Sequence, residues 1–372
     1  MSERVYLDHN ATTPVLPEAR AAMVDAIERT FGNPSSAHAA GREARAVVDD
    51  ARRAVAEAMG VEPAQVTFTS GATEGINHIV AIAGPGRVIA SAVEHPAVYA
   101  AVAARPGREL VRCPVDSDGL CEPGDILARV DEGGPVALVA LIAAQNETGV
   151  IQPVGELVPY LEARGVPFMV DAVQLAGKLP VTFQPDFTII TAHKVGGPKG
   201  VGAIITRAGR ELPPLISGGG QEAGRRGGTE AVPAIAGFGA AMAVVAESRI
   251  AQAYRLSRLR EGLQQAFIEA FPGTEVVGRG APRLPNTLAL MLPHGIGGAA
   301  LVAALDAEGV CISAGSACHA GTPEPSSTLL AMGYTAEQAL RVVRVTVGPP
   351  NTTDEVMRIF SLLPEVARRV TA

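Results

Sequence analysis

The chain has 372 residues, a net charge of −7 and a pI near 5.6, a length that excludes one small core and predicts two domains or one large α/β domain with an appendage. It carries no block of Lys and Arg, so neither nucleic acid nor an anionic membrane surface is expected as a partner. The opening MSERVYLDHNATTP lacks a basic, apolar leader, and no run of about 18 apolar residues is read in the sequence, so the expectation is a cytoplasmic protein without a membrane span.

Residues 41–59, GREARAVVDDARRAVAEAM, place Val47, Val48, Ala51, Ala54, Val55 and Ala58 at helical spacing, with Gly60 at the expected C-terminal cap. Short apolar, β-branched runs follow: VTFTS (66–70), RVIAS (87–91), ALVALIAA (137–144), PFMVDAV (167–173) and FTIITA (187–192), with KGVGAIITR (199–207) as a further strand. Segments able to form helices separate most of them, an alternation that predicts a mainly parallel sheet covered on both faces. The glycine-rich GGGQEAGRRGGTE (218–230) reads as a surface loop, and 231–270 as helical. NTLALML (286–292), GGAALVAALDAEG (297–309), VRVTVG (343–348) and a helix-like 353–369 then predict a smaller α+β domain. The N-terminal dozen residues fit either part.

The chemistry is expected where the strands end, since open α/β sheets gather ligands at the carboxyl ends of their strands. After VTFTS, Gly71, Ala72 and Thr73 open a helix whose free N–H groups suit a phosphate. The following runs end near His95, near Asn146, at Asp171 and Gln174, and at Thr191, His193 and Lys194. Lysine occurs only at 178, 194 and 199, with arginine filling every other basic position. Arginine neither bonds an aldehyde as a free amine nor gives up its proton near neutrality, so a retained lysine has chemical meaning. Lys178 and Lys199 read as solvated or structural, Lys194 as the reactive one. A phosphorylated pyridine aldehyde uses every member of this set, with the lysine bonding the aldehyde and the aspartate keeping the ring nitrogen protonated.

The four cysteines, Cys113, Cys121, Cys311 and Cys318, form no CxxC pair and complete no zinc set, so reduced thiols and no metal are expected. Cys311 sits in an apolar run and reads as core. Cys318 lies in ISAGSACHAG, with no bulky apolar neighbour, and Gly315 and Gly321 grant a backbone freedom that larger residues would not. That setting suits a thiol that acts rather than packs.

YLDHNATTP, FGNPSSAHAAGREAR, FTSGATEGIN, EHPAV, QNETGVIQPV, DAVQLAGK, AHKVGGPKGVG, GGGQE with RRGGTE, and SAGSAC follow one another in an order that resembles the cysteine desulfurases, pyridoxal-phosphate enzymes of fold type I in the class V aminotransferase group. The resemblance covers almost the whole chain. It implies a large domain, 15–250, with a mainly parallel seven-stranded sheet, and a small α+β domain of 1–14 and 251–372 that carries the cysteine loop. It implies that Lys194 bonds the cofactor and moves the substrate Cα proton, and that Asp171 pairs with the ring nitrogen. Gln174 and Asn146 would lie near the ring's phenolic oxygen, and His95 would stack on the ring. Ala72, Thr73, Thr191 and His193 would hold the phosphate, with Thr229 reaching it from the other subunit of a homodimer. Arg344 would bind the substrate carboxylate, helped by Asn33, and Cys318 would accept the sulfur of L-cysteine as a persulfide and pass it to an acceptor protein for iron–sulfur cluster assembly or thiolation. The chain departs from the family pattern at Thr191, usually Ser, at the glycine before the Gly228–Thr229 pair, often Ser, and at PSSTL in place of PSHVL. Selenocysteine lyase, another class V lyase or aminotransferase, and a scaffold with vestigial catalysis are the alternatives.

Overall fold

The computed structural model describes residues 4–315 and 324–371; Cys318 and Gly321 lie outside the described residues. A seven-stranded sheet forms the larger layer, in the order Val66–Thr69, Gly202–Thr206, Phe187–Thr191, Phe168–Asp171, Val136–Ile142, Gly86–Ser91, Arg108–Cys113. Gly202–Thr206 runs antiparallel to both its neighbours, and the other pairs are parallel. Every strand but that one therefore points its carboxyl end to the same edge, the edge on which the polar endings fall.

Alternation along the strands fills both faces. Val139, Leu141 and Ile190 join Val55, Phe68 and Phe238 in one core, while Leu138, Ala140 and Ile189 join Ile76, Ile79 and Val88 in the other. With both faces covered, the central strands read as continuous apolar runs, which is why the sequence exposes them. Arg108–Cys113 escapes that reading because it is an edge strand, RELVRC, with mostly half-exposed residues. The helix expected at 41–59 spans Ala39–Met59 and ends on Gly60 in the left-handed conformation at φ 68°.

A second sheet pairs Ser313–Ala314, Val342–Thr346, Thr287–Met291 and Glu275–Val276 in antiparallel order. Val5–Tyr6 pairs with Val310–Cys311, and Asp8 bridges Thr346, so the N-terminal strand joins this second part. The helix Val232–Ala270 links the two cores: Ile235, Phe238 and Met242 belong to the first, Leu256, Leu263 and Phe267 to the second. By length and apolarity alone this helix could cross a membrane, contrary to the reading of the sequence. Its two halves are instead committed to the two cores.

The glycine-rich 218–230 segment is exposed at Gly218, Gly219 and Gly220 but anchored at Glu222, which is buried with φ at 51°. Arg52 donates to both Glu222 carboxylate oxygens at 2.8 Å, and the Phe68 N–H donates to Oε2 at 2.8 Å. Replacing Glu222 with Ala leaves the half-buried Arg52 without its carboxylate. The expected loss is about 3–5 kcal/mol of unfolding free energy, measured by denaturant titration.

Candidate active site

A cleft of roughly 520 Å³ opens at the carboxyl edge of the large sheet. Ala72, Thr73, His95, Asn146, Asp171, Gln174, Thr191, His193, Lys194 and Arg344 all line it, so the chain brings together ten residues singled out in the sequence. Gly71, at φ 153°, turns the chain from Thr69 into the helix Ala72–Ile82. The first N–H groups of a helix lack intrahelical acceptors and face an anion favourably. Arg226 clamps this corner by donating to Glu74 at 3.0 and 3.2 Å, while Glu74 also accepts from the Ser70 N–H.

Asp171 ends its strand buried, its Oδ1 accepting from the Val173 N–H at 2.9 Å. Burial raises its proton affinity, an effect that the Val173 N–H, His95 and Lys194 only partly offset. His95 caps the helix Pro96–Ala103, with Nδ1 accepting from the Ala97 N–H at 3.1 Å. Burial lowers its pKa, which favours a neutral ring. Glu94, beside it, accepts from Ser91 Oγ at 2.5 Å and the Ile142 N–H at 2.8 Å. Burial pushes Glu94 up to about 8, so it holds a proton near neutrality and adds no second negative charge beside Asp171.

Lys194 follows its strand in a short turn and donates to the carbonyls of Asn10 and Ala11, the latter at 2.7 Å. Burial first, then Arg344, lowers it to about 8. Burial and the lysines bring His193 down to about 4, so its ring is neutral. Thr191 is turned inward, its hydroxyl donating to the Val201 carbonyl at 3.2 Å. Arg344 is buried, donating to Asp8 Oδ1 at 2.8 Å and to the Asn146 carbonyl at 3.2 Å, while its Nε has no partner among the described residues.

Two expected residues lie apart from the cleft. Thr229 is exposed and lines an adjoining hollow that shares Ser70 and Gly200 with the cleft. Asn33 is exposed and accepts from the Ser35 N–H at 2.9 Å. Cys318 falls outside the described residues. Reading strand ends alone missed Asn10 and Asp8, although both stand in the motif YLDHNATTP. The Asn10 carbonyl accepts from Lys194 and from Gln174 Nε2 at 2.9 Å, and its amide donates to the Asn146 carbonyl at 3.0 Å and to Thr287 Oγ1 at 2.9 Å. Lys178 is buried, so of the two readings left open for it, solvated or structural, the structural one holds.

These residues fit pyridoxal 5′-phosphate. The helix N-terminus of Ala72 and Thr73 would meet the phosphate, buried Asp171 would accept from a cationic ring N–H, and Lys194 is an amine of lowered proton affinity. Only the free amine attacks an aldehyde, so capture of added pyridoxal 5′-phosphate by the cofactor-free protein should quicken as pH rises through about 8 and slow about tenfold per unit well below it. Stopped-flow absorbance measures that rate; a profile flat between pH 6 and 9 would contradict it.

The aminotransferase class V family model matches residues 5–359. A cysteine desulfurase of Frankia sp. (strain EuIK1) is 40% identical, covering 98% of this chain and 92% of its own length. A cysteine desulfurase of Cereibacter sphaeroides is also 40% identical, covering 100% of this chain and 97% of its own. The solved NifS-like protein of Rickettsia africae superposes with a TM-score of 0.89 at 30% identity, covering 98% of this chain and all of that one.

Proposed function

The chain belongs to the aminotransferase class V family, among its cysteine desulfurases, and from that premise we propose that Lys194, Arg344 and Cys318 together convert L-cysteine to L-alanine and a protein-bound persulfide. The observation that carries this reading is Lys194: an amine brought down to about 8 in one cleft with Asp171, His95 and a buried guanidinium. Pyridoxal 5′-phosphate, when bound, supplies an aldehyde for covalent attachment and a ring that takes up the electrons left by a departing Cα proton.

The residues around it divide the work. Arg344 binds the substrate carboxylate through a planar fork of donors, and its bonds to Asp8 and Asn146 fix that fork. Lys194 takes the Cα proton, since an amine near 8 is in part free base at neutral pH. Asp171 holds a proton on the ring nitrogen, and His95 covers the ring as a neutral imidazole. Ala72, Thr73, Thr191 and His193 hold the phosphate. A second copy of the chain contributes Thr229, a reading supported by its exposure beside the phosphate end of the cleft. Asn33 assists the carboxylate from the same kind of exposed position. The Cys318 thiolate attacks the substrate sulfur, so that an S–S bond forms and the Cβ–S bond breaks; the electron pair stays with Cβ, which takes up a proton to become the methyl group of alanine, and Lys194 returns a proton to Cα.

The persulfide sulfur then passes to an acceptor protein for iron–sulfur cluster assembly or thiolation. A reducing compartment, the cytoplasm, suits the unpaired Cys113, Cys121 and Cys311. The two bodies divide at 15–250 against 1–14 with 251–372, a division supported by the passage of the long helix from one core to the other between Val245 and Leu256. The test is product analysis with L-cysteine and L-selenocysteine in parallel. Alanine equal to transferred sulfur, faster from L-cysteine, supports the reading; turnover of L-selenocysteine alone overturns it in favour of a lyase.

A further inference from the structure

Lys178 is a buried amine beside the half-buried Lys194, and the chemistry above does not use it. Burying an ammonium is unfavourable unless it is paired. Among the described residues no carboxylate lies within ion-pair distance of Lys178; Nζ instead donates to the Gln174 main-chain carbonyl at 2.9 Å and to Gln174 Oε1 at 2.8 Å. Burial first, then Lys194 and Arg344, brings it down to about 7. Lys178 and Lys194 line one small cavity of about 80 Å³ together with His9 and Arg249.

A lysine offers hydrogens and a carboxamide offers one oxygen and one NH₂ group, so a lysine on the oxygen decides which way the amide turns. Here the Gln174 oxygen meets Lys178, and its NH₂ is left to meet the Asn10 carbonyl at 2.9 Å. That carbonyl also accepts from Lys194. A continuous line of hydrogen bonds therefore runs from Lys178 through Gln174 and Asn10 to Lys194. Without Lys178, the amide is free to turn over and set oxygen against the Asn10 carbonyl and the cleft.

We propose that Lys178 is a positioning residue: by donating to Gln174 Oε1 it holds that amide as a hydrogen-bond donor toward the cleft and keeps the Asn10 acceptor in place for Lys194. The proposal rests on the cofactor reading above, and cofactor binding by the unaltered chain checks that reading separately.

Lys178→Met is nearly isosteric and removes the donor. It should weaken pyridoxal 5′-phosphate binding by roughly tenfold and shift the absorbance maximum of the bound cofactor, a signature that a purely structural role would leave unmoved. In a Gln174→Ala background the same replacement should change affinity by less than about twofold. Lys178→Arg keeps donors and can grow into the adjoining cavity, so it should retain affinity to within about threefold. Equal losses in both backgrounds, an unmoved spectrum, or Arg losing as much as Met overturns the proposal. Circular dichroism of each variant establishes that it is folded.

Discussion

Lys194→Ala should lower alanine formation from L-cysteine by about 10⁴-fold or more, because in the proposed assignment one amine both anchors the cofactor and moves the Cα proton. The binding groups for the cofactor remain: the helix N-terminus at Ala72 and Thr73, buried Asp171 and His95 all line the cleft independently of Lys194. The variant should therefore still bind pyridoxal 5′-phosphate, but without a covalent bond. Borohydride reduction followed by peptide mapping separates the two effects. The cofactor should be fixed on the Lys194 peptide in the unaltered chain and on none in the variant. Lys178 should not substitute, although burial brings it down to about 7, because it does not line the cleft and its Nζ is turned to Gln174. Fixation on Lys178 with turnover intact would remove Lys194 from its assigned place.

The second large effect belongs to Cys318→Ser. Sulfur transfer should fall by about 10³-fold or more, since a serine hydroxyl is almost wholly protonated near neutrality and attacks sulfur poorly compared with a thiolate. Cofactor absorbance and its response to added L-cysteine should persist, because Lys194, Asp171, His95 and Arg344, proposed to hold both, line the cleft and are unaltered. The other thiols offer no rescue: Cys113 and Cys121 are buried in the core, Cys311 pairs with Tyr6 in a two-stranded edge, and none of them lines the cleft. Cys311→Ser should accordingly leave the rate within about twofold. Collapse in that variant, with Cys318→Ser active, would reassign the sulfur acceptor.

Much of this site is legible in the sequence because the fold writes it at regular places. Central strands buried on both faces become unbroken apolar runs, and each run is followed by the residue that faces the cleft: His95, Asn146, Asp171, Lys194. The Arg108–Cys113 strand is silent because an edge strand keeps a half-exposed, charged surface. Asn10 is silent for another reason. Its carbonyl, not its side chain, accepts from Lys194 and Gln174, and a backbone acceptor has no residue type to betray it. Asp8 and Arg344 lie 336 positions apart and meet because the N-terminal strand pairs with Val310–Cys311 and Asp8 bridges Thr346 beside Arg344. Lys178 shows the limit of reading composition alone: its sequence leaves solvated and structural readings open, and its place beside Gln174, His9, Val195 and Asn286 decides for the second.

Mass spectrometry of the Cys318 peptide after a single turnover of L-cysteine, with alanine counted in the same sample, tests the central claim most directly. The account predicts one added sulfur on Cys318 for each alanine formed, and neither product in Lys194→Ala. Alanine or pyruvate formed in full amount while Cys318 carries no added sulfur, under conditions that preserve persulfides, would contradict it.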